Sequence, residues 1–296
     1  MKPWRFYFKR WMRTLPPYYF MLLTLYFLPG APEFHGPQSW KVILTHLTFT
    51  QVYGGDLRYM ISWSLCVEEH FYLVLPLVVL LLRKVRSLPI ALLLTFALEA
   101  VAVGSRFANF EANETIPFLT HERSHGLFLG LLFALMYQRH PLVWERLGRM
   151  ATLLGVVGIV GTIAVLVTVP PPPSRWMFIA APTLGTWTFA MVFLPCVHGS
   201  SAWSRFSFRG LTYLGGLTYA IYLTHNVLPR SLVEMMGGAG TLKGMLWRFI
   251  CMAGAALFVH HLVERPFLAI RQRLLARSPN ATNGPPQGRT PSTEST

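Results

Sequence analysis

Apolar residues run along this chain in stretches long enough to cross a bilayer, separated by short segments in which charged residues collect. About 20 mainly apolar residues span a hydrocarbon core as a helix, so the pattern predicts a membrane bundle. Spans are expected at residues 15–29, 61–82, 88–104, 126–138, 151–169, 177–197, 211–228 and 245–263. The fold class expected is therefore all-α, a polytopic transmembrane helical bundle of about eight spans occupying residues 1–270. Residues 271–296 are rich in Pro, Ser, Thr and Gly and are expected to form a disordered cytoplasmic tail.

Before the first span, Trp4, Phe8 and Trp11 recur at helical spacing opposite Lys2, Arg5, Lys9 and Arg13, the pattern of a helix lying among lipid headgroups. Pro16 and Pro17 suit the first turn of the span that follows. A secretory signal peptide would also begin with charge followed by an apolar run. Here the basic region is long and aromatic, and Gly30-Ala31-Pro32 is a poor cleavage site. The stretch 40–53 is too short and mixed to span and reads as interfacial or re-entrant.

Composition agrees, with 53% hydrophobic and 13% charged residues. The net charge of +14 would suit nucleic acid only if the basic residues shared one soluble face. They instead mark alternate connections, at Arg5, Lys9, Arg10 and Arg13, then Arg83, Lys84 and Arg86, then Arg139, Arg146 and Arg149, then Arg205 and Arg209, then Arg265, Arg271, Arg273 and Arg277. The opposite loops hold singles such as Lys41, Arg58, Arg106 and Arg175. This bias predicts both termini in the cytoplasm, with membrane lipids rather than nucleic acid as partners. Cys66, Cys196 and Cys251 lack CxxC partners and read as small core residues.

The stretch 61–82 breaks the apolar rule, because it carries Glu68, Glu69 and His70 inside a span. A central carboxylate costs about 3 kcal/mol to insert, so such groups are expected to face protein or a wet cavity and to have a task. At 100° per residue Ser64, Glu68, Glu69 and Tyr72 form one polar stripe, with His70 off it as an isolated packing or interfacial residue. A second stripe joins Thr218, Tyr222, His225 and Asn226. His225 there is either a hydrogen-bonded packing residue or a proton-transfer group.

Arg10 and Arg13, three residues apart, could present both guanidinium groups to one phosphate-rich donor such as coenzyme A. The same pair could simply grip lipid headgroups. His121 and His125 have an i, i+4 spacing that can hold a metal, but no third ligand accompanies them, so a polar outer mouth is expected and no metal. His260, His261 and Glu264-Arg265-Pro266 read as a helix terminus.

The blocks RFYFKRWMRTLPPYY, SWSLCVEEHFYLVLPL, THERSHGLFLGLLFAL, LTYAIYLTHNVL and VERPF, in this order, resemble the membrane-bound acyltransferase 3 family, the O-antigen acetyltransferase-like proteins. The resemblance implies transfer of an acyl group, often acetyl, from cytoplasmic acyl-CoA to a hydroxyl of an envelope saccharide or lipid-linked glycan, in a bacterial inner membrane. It implies that Arg10 and Arg13 serve the donor and that the block containing Glu68 holds a functional glutamate. Arg123 and His225 match recurrent polar positions. Glu68 and His225 are the expected catalytic pair, lining a shared cavity, with Ser64, Glu69, Tyr72, Arg123 and Tyr222 as substrate-site candidates. Two departures stand out. Family members carry two further spans before the arginine pair, the first with a histidine taken as the base, and this sequence is expected to begin late or to be truncated. His125 also occupies a position where the subgroup often has Asp. The rival readings are a proton-coupled transporter or flippase, against which the absence of any internal repeat counts, and a non-catalytic remnant.

Overall fold

The computed structural model describes residues 3–27, 40–54, 59, 61–82, 87–111, 118–168, 174–198, 209–225 and 240–276. Every regular element among them is helical. In chain order they are α1 (Pro3–Phe27), α2 (Trp40–Leu47), α3 (Gln51–Gly54), α4 (Ser62–Leu82), α5 (Leu88–Glu111), α6 (Thr120–Arg123), α7 (His125–Arg139), α8 (Pro141–Arg149) and α9 (Ala151–Thr168). A wide π-type turn, Trp176–Ala180, leads into α10 (Ala181–Val197), followed by α11 (Arg209–Thr224) and α12 (Leu242–Val259). A second π-type turn, His260–Glu264, joins α12 to α13 (Arg265–Ala276).

Among the described residues five helices are long and apolar enough to cross a membrane: Ser62–Leu82, Leu88–Glu111, Ala151–Thr168, Trp176–Val197 and Leu242–Ala276. Their outward faces are apolar, with Leu93, Val101, Leu166, Val167 and Phe249 all exposed. A water-soluble protein would bury such faces, and hydrocarbon is the solvent that suits them. The protein is an integral membrane helical bundle. Helices also stand at the other three expected positions, but α1 is rich in basic residues, and α7 and α11 have 15 and 16 residues. At 1.5 Å per residue α7 is about 22 Å long, short of a hydrocarbon core of about 30 Å.

Several boundaries differ from those the local pattern predicts. The headgroup-plane helix and the first span are one continuous helix, with Pro16 and Pro17 in its interior rather than at its start. Proline removes a helical hydrogen bond, so continuity here rests on tertiary contacts of the preceding turns. Tyr7 donates to the Leu73 carbonyl at 2.7 Å, Arg10 pairs with Glu68 at 2.8 Å, and Arg271 donates to the Lys9 carbonyl at 3.1 Å. At the other end α13 runs to Ala276, so residues 271–276 are helical rather than disordered, because Arg271 is held by that bond to Lys9. The remainder of the expected tail lies outside the described residues, as do Asn226 and the basic positions Arg83, Lys84, Arg86, Arg205 and Arg277. Of the cysteines only Cys66 is buried, whereas Cys196 is exposed and Cys251 half-buried.

Two cores divide the bundle. One joins α1, the α2–α3 turn, α4, α11 and α12 through Tyr18, Leu25, Phe49, Cys66, Leu223 and Val259. Phe49 turns the chain there with a positive φ of 57°, and the Cys66 thiol donates to its carbonyl. The other joins α5 and α7 through Ala91, Leu129, Leu132 and Met136, with Trp187 and Ala190 of α10 against it. Helix α9 closes on α10 through glycines. A Cβ at Gly158 would stand 2.6 Å from the Thr188 carbonyl oxygen and 2.8 Å from the Val192 nitrogen. Both are backbone atoms that cannot swing away, so Gly158→Val is expected to destabilise the bundle by about 1–3 kcal/mol, the usual cost of overpacking. Thermal unfolding in detergent checks this, and a midpoint equal to that of the parent would refute it.

Candidate functional site

The polar stripe of α4 meets α1. Arg10 Nη2 donates to Glu68 Oε2 at 2.8 Å, and its Nε lies 3.3 Å from Glu69 Oε1. Thr14 donates to the same Glu69 oxygen at 3.2 Å. The Arg10 guanidinium carbon sits 3.2 Å from the centre of the Tyr72 ring. One cation thus serves two carboxylates and an aromatic face, which meets the insertion cost that the bare sequence leaves open. Glu69 is buried, while the Glu68 side chain remains 45% exposed and free to meet a ligand.

Glu68 opens onto a cavity of about 310 Å³ at the seam between the two cores. Trp63, Ser64 and Glu68 line it from α4, Arg123 and His125 from the α6–α7 corner, and Thr186 from α10. Arg123 stands over both Trp63 and Phe118, 5.7 Å from each ring centre. Burial, and next the like charge of Arg106, push the Arg123 guanidinium down to about 10, opposed by Glu122. That value lies well above neutrality, so the residue stays cationic at physiological pH. His125 is buried, with Nδ1 donating to the Glu122 carbonyl at 3.1 Å and Nε2 3.1 Å from Thr186 Oγ1. A proton on Nδ1 leaves Nε2 as the acceptor of the neutral ring.

The second stripe reaches the same helix by a different route. Ser64 hydrogen-bonds Tyr222, whose hydroxyl donates to the Ile61 carbonyl. His225 lies one turn beyond, exposed, with Nδ1 bonded to the Tyr222 carbonyl at 2.6 Å. The cavity beside Glu68 is lined by α4, α6, α7 and α10, and His225 stands outside that lining, connected to it through Tyr222 and Ser64.

Arg10 and Arg13 have separate partners. Arg13 is half-exposed, with its Nε 4.0 Å from Glu264 Oε1. Glu264 is itself buried and bonds His260 Nδ1 at 2.8 Å across the π-type turn, so these residues form a polar network at the α1–α13 junction, buried at Glu264 and His260 and open at Arg13. Local pattern alone reads them as a helix terminus. The signal in the sequence is the i, i+4 spacing of His260 and Glu264.

A polar group at the C-terminal end of α5 lies beyond residue 104, where the apolar pattern ends the span. Arg106 is helical and fully buried rather than a loop residue, with Nη2 donating to Thr183 at 2.7 Å and lying 3.7 Å from Glu99. Glu122 accepts from Ser105 at 2.9 Å and Asn109 at 2.6 Å. His70 joins this end of the bundle, 2.7 Å from Thr120 Oγ1, and is not isolated. His121 meets Ser105 and Tyr53, away from the partners of His125. Among the described residues no three His, Cys, Asp or Glu side chains gather as a metal set would require.

A family model described as an acyltransferase domain matches residues 1–263. The O-acetyltransferase OatA of Staphylococcus aureus strain NCTC 8325 / PS 47 is 26% identical over 243 residues, covering 74% of this chain and 40% of that protein. The peptidoglycan O-acetyltransferase OatA of Listeria monocytogenes is 24% identical over 293 residues, covering 88% of this chain and 45% of that protein. The chain therefore spans less than half the length of these relatives. No solved structure matches it.

Proposed function

The chain belongs to the acyltransferase 3 family, and from that premise we propose that it transfers an acyl group, acetyl in the simplest case, from cytoplasmic acyl-CoA to a hydroxyl of an envelope saccharide such as peptidoglycan. The observation that carries this reading is the half-exposed Glu68 carboxylate, fixed by Arg10 at 2.8 Å and facing a cavity with Ser64, Arg123 and His125. In the reaction the acceptor oxygen attacks the thioester carbonyl, the C–S bond breaks, and the hydroxyl proton ends on the coenzyme A thiolate. Glu68 is the group of this chain placed to accept that proton or to hold the acceptor hydroxyl, and Arg123 supplies positive charge for the oxyanion. Arg10 is already committed to two carboxylates, so its task is to orient Glu68. Arg13, half-exposed beside Glu264, is the arginine with capacity for a donor phosphate. His225 bears on the site through Tyr222 and Ser64.

The test is acyl transfer in proteoliposomes containing the full chain, with radiolabelled acetyl-CoA and a peptidoglycan fragment as acceptor. Label is expected in alkali-labile esters of the saccharide. Arg13→Ala should raise KM for acetyl-CoA about tenfold with little change in kcat, as loss of one phosphate contact predicts. Proton-driven solute uptake with no labelled ester would replace this reading with a transporter.

A further inference from the structure

His125 stands in a string of hydrogen bonds that is one proton short. Its Nδ1 faces the Glu122 carbonyl at 3.1 Å, and its Nε2 lies 3.1 Å from Thr186 Oγ1, which donates in turn to the Pro182 carbonyl at 2.9 Å. Carbonyl oxygens close both ends, and a carbonyl only accepts. The three contacts therefore need three hydrogens. A neutral imidazole brings one and the threonine hydroxyl brings another, so one contact goes unfilled whichever way the hydroxyl turns. An imidazolium brings the missing hydrogen and completes every contact. The string can take up a proton and return it without moving a heavy atom.

This string belongs to the wall of the cavity that Glu68 faces, since His125, Pro182 and Thr186 line it together with Ser64 and Glu68. At about 310 Å³ the cavity is a single small chamber, so an acceptor hydroxyl held at Glu68 shares it with the string. Gly126 lets α10 approach this closely, because a Cβ there would stand 3.2 Å from the Thr186 methyl carbon. The charges around the ring oppose one another in pairs, Glu99 with Arg106 of α5 and Glu122 with Arg123 of α6. Glu68 of α4, paired with Arg10, is the remaining charged group on the cavity lining.

We propose that His125 holds the proton during acyl transfer and that Thr186 is the residue that positions it. The assignment rests on the acyl-transfer reading above. Glu68 takes the proton as the acceptor oxygen attacks the thioester carbonyl. The proton moves to His125 Nε2, where the imidazolium completes the string. It passes to sulfur as the C–S bond breaks, and coenzyme A leaves as the thiol. Glu68 ends as the carboxylate and His125 as the neutral ring, so the residues neither gain nor lose a proton over one turnover. Carboxylate, imidazole and thiolate are increasingly basic in that order, and each handover runs to the stronger base.

The proteoliposome assay, run across pH, and nitrogen NMR of the full chain labelled with ¹⁵N-histidine test this together. His125→Gln is expected to lower kcat by about 10²-fold, the lower end of what a positioned proton-transfer group contributes, with KM for acetyl-CoA unchanged. Added to Glu68→Gln, the same change should cost no more than about twofold, because groups that handle one proton in sequence do not act independently. Thr186→Val keeps the shape and removes the acceptor of the imidazolium. The neutral ring then persists to lower pH, and the acid limb of kcat should move with it, whereas a threonine needed only for packing would lower kcat equally at every pH. The resonances lost in His125→Gln should be those of a neutral ring protonated at Nδ1. Parental kcat in folded His125→Gln, losses that multiply in the double variant, an unmoved acid limb in Thr186→Val, or a ring protonated at Nε2 alone would each overturn the assignment, with labelled ester from the parent protein still supporting acyl transfer. No ester from the parent would overturn both.

Discussion

Glu68→Gln is expected to lower acyl transfer by about 10²-fold or more, within the usual range for loss of a positioned acid–base group, with the protein still inserted and helical. Gln keeps the shape and one oxygen acceptor for Arg10 but cannot take a proton. Arg10 is not left uncompensated, because Glu69 lies 3.3 Å from its Nε and Tyr72 lies beneath it. The loss should therefore appear in kcat from initial rates with labelled donor, with an unchanged melting midpoint. The neighbouring change Glu69→Gln should behave in the opposite way. Glu69 is buried and held by Thr14 and Arg10, away from the cavity lining, so its replacement should lower stability before it lowers kcat. A Glu68→Gln enzyme with parental kcat would remove that carboxylate from the reaction.

Arg106→Leu should be the most destabilising single change outside the site, at about 3–5 kcal/mol. Arg106 is fully buried and ties α5 to α10, donating to Thr183 at 2.7 Å while Thr183 donates to Glu99 at 2.5 Å. Removing the cation leaves Glu99 in a low-dielectric interior with a neutral hydroxyl as its partner, and in a bilayer no water relieves it. Adding Glu99→Gln removes the orphaned charge and is expected to recover most of the loss. Unfolding of the two single variants and the double variant in detergent would measure this. A single variant as stable as the parent, or a double variant no better than Arg106→Leu, would contradict the assignment.

The polar face of α4 was legible from the sequence because two local facts suffice to find it, the 100° helical step and the rarity of carboxylates in an apolar run. What those carboxylates touch was not legible. Arg10 and Arg13 look equivalent three residues apart on one helix, yet one faces α4 across 58 residues of chain and the other faces Glu264 from the far end. The Glu99–Arg106 pair, seven residues apart on one helical face, was obscured by ending the span at residue 104. A buried Arg at a helix end is locally indistinguishable from a loop Arg. His225 stands on the predicted stripe, but its helix meets α4 through Tyr222 rather than through the histidine itself.

The order of apolar runs, the basic segments between them and the exposed lipid-facing surfaces belong to the sequence by itself, since each follows from transfer free energies of neighbouring residues. The packing of helices decided the rest: the continuity of α1 through two prolines, the sharing of Arg10 between Glu68 and Glu69, and the cavity that brings Glu68 to Arg123. Ion pairs and cavities depend on which faces meet across tens of residues, and hydrophobic periodicity carries no term for the partner.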